Sequence, residues 1–97
     1  MFDLQKAKNK YPNIPETPLE GLARFVDTAC PTGSFLKAVL SHDLFEAVNR
    51  ADNNNQKALV DLVKLIYNDT PIGCHGSADK VETWTQLCGM EGLAKVA

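Results

Sequence analysis

Apolar residues recur at three- and four-residue intervals along most of this chain, and proline, glycine or asparagine clusters cut the recurrence into short lengths. Such spacing lines up one buried stripe on a helix, whereas a half-buried strand needs alternation between hairpin turns, which no segment offers. The predicted fold class is all-α: a compact bundle of four or five short helices with an irregular N-terminal arm. The 97 residues supply material for one core, and a radius of gyration of about 13 Å is expected. The spacing predicts a single helical domain over 17–89, with the arm at 1–16 and a C-terminal tail at 90–97.

The arm mixes Lys6, Lys8, Lys10 and Asn9 with few apolar anchors, and Pro12, Pro15 and Pro18 then break any regular ladder. Thr17-Pro18-Leu19-Glu20 reads as a helix start, with Thr17 as cap, Pro18 at the first helical position and Glu20 closing the capping box. A helix over 18–29 follows and turns Leu19, Leu22, Phe25 and Val26 inward. The next begins near 32–34 and carries Phe35, Leu36, Val39 and Leu40. Ser41-His42-Asp43 is a candidate interruption; if Asp43 caps a new helix, Glu46 falls at the box position, and Leu44, Phe45, Ala47 and Val48 supply its apolar face.

Beyond a turn at 52–55, the run Ala58, Leu59, Val60, Leu62, Val63, Leu65, Ile66 and Tyr67 makes a helix so broadly apolar that a central position is expected for it. A loop over 68–76 leads to Ser77, which can cap a last helix aligning Val81, Trp84, Leu87 and Cys88, with Gly89 as terminator.

A formal charge of −2 offers no long-range attraction for duplex DNA. No apolar run approaches the roughly 20 residues of a membrane helix, and the start lacks the apolar centre of a secretion signal, so a cytoplasmic protein with no membrane partner is expected. Cys30, Cys74 and Cys88 are odd in number and build no paired framework, which suits reduced thiols.

Two helix starts are candidate anion sites. Thr32-Gly33-Ser34 presents small residues with accessible amides, and Lys37 adds charge one turn later; Gly76-Ser77 repeats the chemistry with His75 and Lys80 beside it. Capping alone would also account for these residues, and neither start has the spacing of a phosphate-binding loop. Tyr67 can stack on a base, whereas Trp84 is read as core. Cys74-His75 with Cys30 and Cys88 lacks the two close pairs of a structural zinc site, so no metal is expected, and no cofactor. The scattered carboxylates and the adjacent Cys74 and His75 assemble no base, nucleophile and orienter, so no catalytic residue is assigned and the chain is read as not an enzyme.

Between Thr17 and Trp84 the pattern Pro31-x-Gly33-x-Phe35-Leu36-x-Ala38-Val39-Leu40-x-x-Asp43-Leu44, continued by Arg50-Ala51-Asp52, Asn55, Ala58-Leu59, Tyr67-Asn68, Pro71 and Gly76-Ser77, resembles small helical proteins carried by bacteriophages and other mobile elements. Thr32 and Ser34 stand where proline and glycine are frequent in that pattern, and His75 where an aromatic is frequent. The resemblance implies a compact counter-defence accessory acting without catalysis in a bacterial host cell. The expected function is sequestration of a phosphate-bearing small molecule, such as a nucleotide signal, by a homo-oligomer, because a chain this short buries limited surface alone and pairing through the Phe35-to-Val48 region or the last helix would both stabilise it and build a shared pocket. Its ligand-binding residues would be Thr32, Gly33, Ser34, Lys37, Tyr67, His75, Gly76, Ser77 and Lys80. The alternative is an inhibitor or adaptor that covers a host defence or regulatory protein, marked by an exposed apolar patch.

Overall fold

The computed structural model describes residues 2–96 and is all-helical, with a radius of gyration of 12.5 Å. Seven α-helices occur among the described residues: α1 (Leu4–Lys10), α2 (Glu16–Thr28), α3 (Ser34–Leu40), α4 (Leu44–Arg50), α5 (Asn53–Asp69), α6 (Ala78–Leu87) and α7 (Gly89–Val96). A short 3-10 turn at Ile72–Cys74 precedes α6.

The expected four or five helices become seven because both flanks of the predicted domain are helical. Over 4–10 the anticipated irregular arm is α1, begun by the Asp3 carboxylate, which accepts the Lys6 N–H at 2.9 Å. The arm is anchored, with Ala7, Tyr11 and Ile14 buried and the Phe2 N–H donating to Asp27 Oδ1 at 2.7 Å. The helix begun at Ser77 closes just before Gly89, as expected, but the chain beyond is helical again rather than a tail. Cys88 adopts the left-handed conformation that closes α6, and Gly89, at φ +71°, opens α7. A Cβ on Gly89 would lie 2.7 Å from the backbone of Asp27 and Thr28, so α7 is seated on α2 where only glycine fits. Thr17 is not the cap of α2: Pro15 holds that position and no side chain caps the helix.

The core is built by α2, which buries Leu19, Leu22, Phe25 and Val26, together with α3 and the inner stripe of α5, Ala58, Leu62, Leu65 and Ile66. Trp84 of α6 is buried and its Nε1 donates to the Phe25 carbonyl oxygen at 3.1 Å, tying α6 to α2. Cys88, expected on the inner face, is exposed because the left-handed turn carries it off the helical stripe. Nor is α5 central throughout. Val60, Val63 and Tyr67 are exposed, so its wide apolar face divides between the core and the surface.

Candidate functional site

The exposed half of α5 faces α4 across an apolar groove whose end is formed by the α3–α4 break. That break is a Schellman turn. His42 sits in the left-handed region at φ +58°, its N–H donates to the Val39 carbonyl at 3.1 Å, and the Asp43 N–H donates to the Ala38 carbonyl at 2.9 Å. Asp43 then starts α4, its carboxylate accepting the Glu46 N–H at 3.2 Å. A Glu46–Arg50 ion pair braces the exposed side of α4.

The last carbonyl of α3, on Leu40, accepts the Gly76 N–H at 2.9 Å, which docks the loop before α6 against the end of α3. This contact brings His75 to His42. His42 Nε2 and His75 Nδ1 are 2.9 Å apart, and the ring centroids, at 5.1 Å, are spaced as two imidazoles joined end to end by one N–H···N hydrogen bond. His75 is buried, and burial first, then the His42 and Lys80 charges, lowers its pKa from the ordinary 6.5.

The pair closes one end of a cavity of about 230 Å³. Val39, Ala47 and Ile66 line its inner surface, and Leu44 of α4 faces Leu59, Val63 and Tyr67 of α5 across it. Both rims continue outward as apolar stripes. Phe45 is 85% exposed, Tyr67 78% and Val60 64%, with Leu44, Val48 and Val63 also exposed. Helical spacing puts Val60, Val63 and Tyr67 on one side of α5, and Leu44, Phe45 and Val48 on one side of α4. Together these six residues expose on the order of 700 Å², close to one partner's share of a standard interface.

Of the residues expected to hold an anion, Tyr67 and His75 line this groove, and Lys80 is near enough to His75 to disfavour its charge. The two helix starts do not converge. Gly33 and the exposed Ser34 begin α3, whereas Gly76 is bonded to the residue that ends it, so about 10 Å of helix separates them. Gly76 has given its N–H to Leu40, and Ser77 Oγ accepts the Lys80 N–H at 3.1 Å as an ordinary cap. At the other start Thr32 is half-buried, Lys37 is exposed, and no side chain caps the Gly33 position.

None of His42, Leu44, Phe45, Val48 and Val63 was among the expected ligand-binding residues, although all but Val63 lie in the Phe35-to-Val48 region where the sequence expects pairing. The signal present was the width of the apolar face on α5, too broad for one buried stripe.

Cys74 is fully buried and desolvation raises its pKa, which holds it as thiol rather than thiolate. Among the described residues no three His, Cys, Asp or Glu side chains cluster as metal ligands, and no buried side-chain nitrogen or oxygen lacks a hydrogen-bond partner. A second cavity, about 390 Å³, lies where α1 meets α2, α5 and α7; there Lys10 pairs with Asp69 at 3.1 Å, and Lys6 and Asp3 share the wall. Its charges balance locally. No helix of the described residues is long and apolar enough to cross a membrane. Comparison with protein-family models, curated proteins and solved structures returns no match.

Proposed function

We propose that this chain is a non-enzymatic accessory protein that acts by protein contact, that the α4–α5 groove and its rims are the contact face, and that a second copy of the chain occupies it. The observation that carries this reading is the apolar surface itself: six large exposed side chains on α4 and α5, of which Leu44, Val63 and Tyr67 line a largely apolar cavity. The face is self-complementary. Phe45 projects beside the cavity, so a twofold axis across the groove sets each Phe45 against the other copy's cavity and stacks two helical hairpins as a four-helix layer. The phage-type pattern of the sequence suggests a host defence or regulatory protein as the target of the paired molecule.

A second reading, capture of a phosphate-bearing small molecule at Gly33-Ser34 with Lys37, is favoured by one observation: no side chain caps the first turn of α3. The two readings separate in solution. Sedimentation of the parent at micromolar concentration is expected to give a dimer, and Phe45→Glu and Val63→Glu each a folded monomer. A parent that stays monomeric, or a dimer that survives both substitutions, refutes pairing through this face. A melting temperature raised by cyclic or linear nucleotides, and no longer raised in Ser34→Asp, would transfer the assignment to the second reading.

A further inference from the structure

Both histidines of the chain meet each other at the end of the groove, although 33 residues apart in sequence. Building this contact takes two unusual features. A left-handed turn after α3 is most comfortable for glycine, yet His42 occupies it and reaches His75 with its Nε2. The partner loop is held in place by Gly76, whose N–H closes on Leu40 at 2.9 Å.

The proton count of such a contact is definite. Two neutral imidazoles carry two N–H groups on four nitrogens, so one facing nitrogen donates and the other accepts. One added proton can reside on an outward nitrogen and leave the bond intact. A second fills all four, and two N–H groups then face each other across 2.9 Å with two positive charges behind them. The surrounding groups do little to offset that charge. Asp43 borders the same cavity and its carboxylate, capping α4, brings one negative charge against the two positive ones. Lys80 of α6 adds a cation, while the neighbouring Cys74, its pKa raised by burial, brings no negative charge.

We infer that the His42–His75 pair is a proton-operated latch on the α4–α5 face, closed when the imidazoles share one hydrogen bond and released by the second added proton, so that mild acid weakens occupation of the groove. This regulation rests on the contact reading above. Release places two charges at the end of an apolar cavity that its occupant must desolvate, and it frees the His75–Gly76 segment to leave the end of α3.

The test uses the full chain at about pH 8 and about pH 5, with pairing measured by sedimentation equilibrium and the imidazoles followed by NMR. In the parent the imidazoles are expected to titrate in two coupled steps, the second below the ordinary histidine range, and the dimer dissociation constant to rise by up to about tenfold per subunit for each unit by which a coupled pKa differs between free and paired forms. His42→Gly keeps the left-handed turn and removes the ring, so only the single His75 step remains and the loss of pairing over that range is expected to shrink well below the parent's. Independent titration of the two rings, or equal pairing of the parent at both values, overturns the latch. A parent monomeric at both values removes the contact reading instead. The latch is then read from the Leu59 and Val63 resonances, which must move with the second imidazole step; if they stand still, the latch is refuted.

Discussion

Leu62 and Val63 are neighbours in sequence with nearly the same hydrophobicity, and the structure assigns them opposite duties. Leu62 is fully buried in the core, while Val63 is half-exposed on the groove wall. Replacing Leu62 with alanine removes buried methyl groups from a packed position and leaves a void that the helices around α5 can only partly close. That costs about 3–5 kcal/mol. For a domain of this size each kcal/mol moves the midpoint by roughly 4–8 °C, so Leu62→Ala is expected to melt at least about 12 °C below the parent. Val63→Ser exchanges an exposed group for a smaller polar one and should change stability by under about 0.5 kcal/mol while reducing pairing. Thermal and urea unfolding with a common slope provide the assay. If Val63→Ser proves as destabilising as Leu62→Ala, the groove wall is core and the division of α5 between core and surface is wrong.

Two further outcomes test the frame around the site. Trp84→Phe deletes the donor to the Phe25 carbonyl, but that oxygen also accepts the Ala29 N–H at 2.8 Å, so no orphan remains. The expected loss in urea unfolding is about 1 kcal/mol for the bond and a further 1–2 for the smaller ring. Acid should destabilise the monomer through His75: its folded pKa lies below the unfolded 6.5, so the unfolded chain binds more protons between the two values. Stability from this group is complete above 6.5 and is lost as pH falls through that value toward the lowered one, a decline that unfolding melts of His75→Gln should lack.

The central helices were legible because each carries its own start chemistry and a clear stripe. Asp43, Asp52 and Ser77 all cap by side chain, and all three had the residue type and position for it. The flanking helices were not, because tertiary contacts hold them. The first has a single buried helical residue, Ala7, among its lysines, and depends on Tyr11, Ile14 and the bond from Phe2 to Asp27. The last carries Gly89 and Gly92, poor helix formers that the sequence offers as breakers and the fold uses for close approach.

The groove was half legible. Periodicity counted the apolar width of α5 correctly but, Tyr67 apart, assigned it to the interior, since a pattern cannot tell which part of a wide stripe finds a neighbour. His42 and His75 had no local signature, because a Schellman turn and a docked amide from a distant loop put them together.

Asp27 receives the start of the described chain through its carboxylate and lies under the opening residue of α7 through its backbone. One turn of α2 is thus a common mooring for the outermost helices, and neither can fray without disturbing the anchorage of the other. Opening of α1 and α7 therefore belongs to a single cooperative event rather than to two loose ends peeling separately.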